Sequence, residues 1–134
     1  MLRTQVNIAQ LAVFNPRTQQ GIINTTAQTI PMGTLIGRIV ATNKVAISAS
    51  GNTDGSQVPI GVLMADYTVA NGVDTTITFY VKGDMNFNML KFQGSDTLAT
   101  EITVSAAVVG TINDILTGIS ILPIATTENS FFDN

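Results

Sequence analysis

Side chains able to do covalent or acid–base chemistry are scarce in this chain. It contains no Cys and no His. A thiolate nucleophile and a Cys-type zinc site are therefore impossible, and both the commonest general base and the commonest metal ligand are missing. Asp, Glu and Lys remain. Asp66, Asp74 and Asp84 lie near the ends of strand-like runs and could converge, although isolated acids at strand ends are usually solvated turn residues. Asp54 in Asn52-Thr53-Asp54-Gly55 resembles the start of a calcium loop, but the further oxygen ligands and the closing Glu of an EF-hand are absent. It reads as an Asp-Gly turn. Gly33 with Gly37 lacks the Gly-Lys-Ser/Thr that lets a P-loop hold phosphate. Asn24-Thr25-Thr26 matches a glycosylation sequon, but Met1 to Asn7 has one positive charge and no continuous apolar core, so no secretory signal is expected. No catalytic residue, cofactor or metal is expected.

Two groups of residues suit binding better than catalysis. Met85, Phe87, Met89, Leu90 and Phe92 form an apolar cluster that reads either as core or as a subunit contact, where aromatics and Met are favoured. Residues 1–29 are rich in Gln, Asn and Thr, with sparse apolar positions and no sustained period of 2 or 3.6. Asn15-Pro16 reads as a turn, and Gln19-Gln20-Gly21 as a break. This stretch reads as an arm, either a frayed end or a segment that orders on a partner. In the second case Gln5, Val6, Asn7 and Ile8, or Leu11 to Phe14 with Leu11, Val13 and Phe14 as its large apolar members, would add a strand to a free sheet edge.

The elements that must hold these groups follow from composition. At 134 residues with 45% hydrophobic side chains the chain is long enough for one domain with a real core. Only 11% of residues are charged, against about a quarter in an ordinary soluble domain, so Thr, Ser, Asn and Gln must cover its surface. The net charge of −3 argues against nucleic acid as partner. No apolar run approaches the roughly 20 residues of a membrane span. Arg3, Arg17, Arg38 and Lys44 precede the first acid, Asp54; from there on, all nine acids face only Lys82 and Lys91. The asymmetry is either chance or a basic leading segment that docks on an acidic surface.

A compact part is expected from Ile30 to Leu122, followed by a polar tail over residues 123–134. Leu35 to Val40 and Val45 to Ile47 read as a strand and its return, and Ser48 to Gln57 as a turn-forming loop. Val58 to Ala65 reads as a strand at an edge, or one beginning after Pro59. Val73 to Val81 is the clearest strand, with Val73, Thr75, Ile77, Phe79 and Val81 on one face, and Asn71-Gly72 marks a hairpin pairing it with the strand near Ile60. Ala106, Val109, Ile112, Asn113 and Leu116 fall at helical spacing, with Ser105 as N-cap and Gly118 beyond the end, and Gly118 to Leu122 reads as a last strand stopped by Pro123. The fold class is mainly β.

The order Asp54-Gly55 turn, Ile60-Gly61-Val62-Leu63 strand, Thr75-Thr76-Ile77-Thr78-Phe79-Tyr80 strand, Lys82-Gly83, the apolar stretch Phe87 to Phe92, and Gly118-Ile119-Ser120-Ile121-Leu122 resembles the head decoration proteins of tailed bacteriophages, the family of the phage lambda decoration protein D. The resemblance implies a β-clip, a long bent β-ribbon with little helix, preceded by an extended N-terminal arm. It also implies a non-enzymatic homotrimer on the outside of the expanded head, cementing major capsid proteins at threefold sites against the pressure of packaged DNA. The location implied is the virion, after assembly in the bacterial cytoplasm, with the major capsid protein and the chain itself as partners and no direct contact with nucleic acid or membrane. The alternatives are another virion module, from the tail or a head fibre, and a small trimeric β-clip hydrolase of the dUTPase kind, for which no convincing set of phosphate-binding residues is present.

Overall fold

A computed structural model describes residues 12–124. The chain is mainly β, with one short helix. Two twelve-residue strands pair in the main sheet: β1 (Ala12–Ile23) and β7 (Thr75–Asn86). Between them come β2 (Gln28–Ile30), β3 (Leu35–Arg38), β4 (Val45–Ile47), β5 (Pro59–Leu63) and β6 (Tyr67–Val69). After them come a 3₁₀ turn (Phe87–Met89), β8 (Glu101–Val104), β9 (Ala107–Thr111), α1 (Ile112–Gly118) and β10 (Ile121–Ile124).

The main sheet has the order β1-β4-β3-β5-β7-β10, and β1 also pairs with β7. The extra pairing closes β1, β4, β3, β5 and β7 into a ring, which removes most of the free edges that an open sheet would expose. Inside it lie Ile23, Ile36, Val45, Leu63, Ile77 and Phe79, with Ile30 and Val69 of the β2–β6 pair closing the same cluster. The alternation along Val73 to Val81 buries Ile77 and Phe79 completely, while Thr75 and Val81 are half-buried and Val73 is exposed. Leu35, Val62, Met85, Leu90, Ile102, Ile112, Leu116 and Ile121 form a second cluster, roofed by α1 and the β8–β9 hairpin.

The Phe79 ring sets the spacing of the ring of strands. A Cβ on Gly61 of β5 would come within 2.5 Å of its Cδ2 and 2.6 Å of the Tyr80 carbonyl oxygen. A Cβ on Gly21 of β1 would stand 3.1 Å from its Cε1 and 3.0 Å from Val45 Cγ1. The ring is thus packed against bare backbone on two strands. Gly21 therefore does not break β1: it is paired with Ile77 inside a continuous ladder.

Several expectations need correction. The Asn15-Pro16 turn does not form, and β1 runs through it. Pro16 falls between the paired residues Phe14 and Arg17, at a register shift where its missing N–H costs no ladder bond. β1 and β2 lie within the stretch read as an arm, so regular structure starts well before Ile30. β5 begins at Pro59 itself and is central, between β3 and β7; as the first residue of the strand, Pro59 is tolerated there. β5 does pair antiparallel with β7, Val62 opposite Tyr80, but the Asn71-Gly72 turn joins β6 to β7 instead of β5 to β7.

The helix starts later than its spacing suggested. Ser105 and Ala106 adopt φ of 51° and 67°, the left-handed pair of a two-residue hairpin loop, and Val104 pairs with Ala107. The true N-cap is Thr111. Its hydroxyl accepts from Asp114 N at 3.2 Å and the Asp114 carboxylate accepts from Thr111 N at 3.2 Å, a capping box. Gly118 is the last helical residue. Pro123 does not stop the last strand but lies within β10, a position open to it because β10 is at the end of the sheet order.

Phe79→Ala should lower unfolding free energy by about 3–5 kcal/mol. Gly61→Ala should cost about 1–3 kcal/mol by forcing Cβ into that ring. Gly51→Ala, where an added Cβ meets nothing within 4 Å, should stay within about 0.5 kcal/mol of the parent. Urea unfolding of the three variants measures these differences.

Candidate functional site

Five of the described carboxylates are engaged one by one in local structure. Asp54 Oδ1 accepts from the backbone N of Ser56 at 3.0 Å and from its hydroxyl. Asp66 Oδ1 accepts from Met32 N at 2.7 Å. Asp74 Oδ1 accepts from Asn24 Nδ2 at 2.8 Å and from Lys44 Nζ at 2.9 Å. Asp96 takes both the backbone N and the hydroxyl of Ser50, at 2.9 and 2.6 Å, and so ties the loop after β4 to the segment before β8. Asp114 is spent on the helix cap. Asp66, Asp74 and Asp84 do not form a shared carboxylate site, and among the described residues no group of three His, Cys, Asp or Glu could hold a metal ion. No described helix is long and apolar enough to cross a membrane.

Two of these carboxyls are shifted. The Ser56 hydroxyl and backbone N–H bonds hold Asp54 below the ordinary carboxylate range, and the Asn24 amide followed by the Lys44 ammonium does the same for Asp74. Both causes stabilise the charged form, as expected of a turn aspartate and a surface ion pair.

The surface groups suited to binding are apolar. Met85 and Leu90 are buried in the second cluster, and Met89 and Phe92 are half-buried against it. Phe87 stands apart at 39% exposure, on the 3₁₀ turn that follows β7. A second apolar area lies on the β8–β9 hairpin, where Val108 and Val109 are exposed, beside a groove of about 350 Å³ lined by Val40, Gly55, Gln57, Val104 and Ser105 among others. Val40 is 80% exposed there. Sequence reading missed this area because it assigned Val109 to the inner face of a longer helix. The turn at Ser105-Ala106 carries neither Asn nor Gly, so nothing announced the hairpin.

Gln5, Val6, Asn7, Ile8 and Leu11 of the expected arm lie outside the described residues. Val13 and Phe14 belong to the backbone of β1, with Phe14 paired to Asp84 and Ala12 to Met85. Because β1 is antiparallel to β7, Ala12 lies at the Met85–Asn86 end of the ribbon, near the turn bearing Phe87.

The described surface leaves apolar side chains such as Phe87, Val108 and Val109 exposed. The model of the bacteriophage lambda head decoration protein D family matches residues 4–112. The chain belongs to that family, and membership gives it a decoration role on the phage capsid. No curated protein matches the sequence.

The shifted carboxyls yield a pH prediction. A depressed folded-state value means stability that is present above the ordinary value of 3.8 and lost as pH falls through the lower folded value. The urea midpoint should therefore change little from these two groups between neutrality and mild acid, then fall below 3.8. Asp54→Asn with Asp74→Asn should flatten that acid limb, and an unchanged limb would remove both groups from the account.

Proposed function

We propose that this chain is a non-enzymatic cement that sits as a homotrimer on the outer surface of the expanded phage head, at threefold positions, and clamps neighbouring major capsid proteins against the pressure of packaged DNA. The observation that carries this reading is the family match over residues 4–112. The β-clip belongs to the same inference. It is supported by the long β1–β7 ribbon, with its three register shifts of the kind that bend and coil a strand pair.

The N-terminal arm is proposed to bind the capsid by adding Gln5 to Ile8, with Leu11, as a strand to a capsid sheet edge. The pairing of Ala12 with Met85 supports this, because it places the start of β1 at the end of the ribbon. Of the five residues read as a subunit contact, Phe87 has the exposure to serve. A trimer multiplies weak contacts: once one arm is bound the others bind intramolecularly, and avidity can exceed single-arm affinity by about 10²–10⁴. A ligand that binds only the expanded lattice stabilises it by mass action, about 2.7 kcal/mol per site at a hundred times its dissociation constant.

Removal of Met1 to Leu11 leaves β1 intact and should leave a trimer that binds expanded, decoration-free heads poorly. Sedimentation of heads with bound protein measures this, and sizing by light scattering measures the trimer. Full binding by the truncated chain would overturn the role of the arm, and a monomer at working concentration would overturn the avidity argument.

A further inference from the structure

Two exposed apolar features of the described surface lie at opposite ends of one strand, β3. At its start, Lys91 N donates to the Gly33 carbonyl at 2.8 Å, and Thr34 forms a bridge with Lys91. An added Cβ on Gly33 would collide with the Met89 carbonyl oxygen, so the 3₁₀ turn sits against bare backbone there. That turn carries the exposed Phe87. Past the other end of β3, Val40 N donates to the Asp54 carbonyl at 3.0 Å, beside the groove of about 350 Å³ that Val40, Asp54, Gly55 and Val104 help to line. Val40 rests on bare backbone as well, since an added Cβ on Gly55 would meet its Cγ2 at 2.5 Å. Thr34 to Arg38 alone spans about 13 Å of extended chain, and Phe87 is not among the residues lining its own groove.

We propose that Phe87 of one copy seats in the Val40–Val104 groove of the next, and that this head-to-tail contact, repeated three times, closes the homotrimer. The inference rests on the decoration reading above and gives its trimer a contact. A contact between two different patches of one chain is heterologous, and it closes into a ring where its rotation allows. Patches at opposite ends of one strand suit that arrangement, because each copy uses both at once. An aromatic side chain filling a partner's pocket is the common form of an interface anchor, and Phe87 is the one aromatic among the exposed large apolar side chains described. Val108 and Val109, on the hairpin beside the groove, extend the apolar area around it. The charges agree with this occupant. Lys91 is exposed four residues after Phe87, and Asp54 is exposed at the groove. Both described bonds of Asp54 use Oδ1, so Oδ2 is available to an incoming ammonium. Such a rim pair adds little affinity but favours one orientation over the reverse.

The chain has no cysteine, so introduced thiols report the contact directly. Val40→Cys and Phe87→Cys proteins, mixed and oxidised, should form a disulfide-linked pair, while either one alone stays single on a denaturing gel. The Val40→Cys/Phe87→Cys double variant should give a covalent ring of three, since the two positions of one copy are too far apart to join. Both reactions are run on free protein and on expanded, decoration-free heads. Phe87→Ser should lower the crosslinking of its partner position and weaken assembly by about tenfold or more, with the thermal midpoint of the separated chain unchanged. Self-crosslinking of a single variant at the yield of the mixture, or no crosslink between positions 40 and 87 either in solution or on heads, overturns the contact; head binding by the unaltered chain then still upholds the decoration reading. A crosslink between positions 40 and 87 in solution, with no head binding by the unaltered chain, upholds the contact and overturns that reading.

Discussion

The architecture depends on one aromatic ring held between two strands that have no side chain to oppose it. Phe79 fills the centre of the closed ring of strands because Gly21 and Gly61 let β1 and β5 approach its edges. A small ring of five strands has little interior to fill, and one Phe with a handful of aliphatics is enough to fill it at the density cores require. Any larger side chain at either glycine must displace the ring or push a strand outward. Closure also explains how β1, largely exposed between Pro16 and Gln20, is held in place: its anchorage is the ladder to β7 and the buried Ile23 at its end, opposite Val45 of β4.

β7 divides the molecule. Its first half, through Phe79, is inside the ring and paired with β5 and β1. Gly83, with φ of 130°, marks where the partner on one side changes from β5 to β10. Beyond it Met85 points into the second cluster with Leu116 and Ile121. The hydrophobic requirements of the two halves are met by different parts of the chain, the first by β3, β4 and β5, the second by α1 and β10.

Most of this pattern was legible where one face of a strand is buried and the other wet. Ile77 and Phe79 alternate with Thr76, Thr78 and Tyr80 so clearly that the first half of β7, to Val81, follows from period alone, and β3 and β4 follow from short β-branched runs bounded by turn residues. β1 was illegible for a physical reason: its stretch from Pro16 to Gln20 is exposed on both faces and has no hydrophobic period, and among its described side chains Ile23 alone is buried. The α1 boundary was missed because Ala106, Val109, Ile112, Asn113 and Leu116 fit helical spacing although the first two are on a hairpin exposed to solvent. The capping signature Thr111-Ile112-Asn113-Asp114 was present in the sequence, and it outweighs a hydrophobic period that crosses a turn. Of the apolar cluster from Met85 to Phe92, composition could not separate core from surface. The β7 register did, by turning Met85 inward and leaving Phe87 on the turn beyond.

The low charge of the chain acquires a structural meaning from the fate of its carboxylates. Asp54, Asp66, Asp74, Asp96 and Asp114 each accept hydrogen bonds that fix a turn, a loop tie or a helix start, so few charges are left over to organise long-range attraction or repulsion. A net charge of −3 gives copies of the chain little reason to repel one another at close range. Screening by salt acts mainly on exposed charges, and this surface offers few of them. Contacts made by such a protein must instead come from backbone pairing at strand edges and from apolar side chains such as Phe87, Val108 and Val109, both of which persist at high ionic strength. A protein that decorates a shell made of many identical subunits benefits from that choice, because contacts of this kind add up copy by copy without accumulating a repulsive field over the shell.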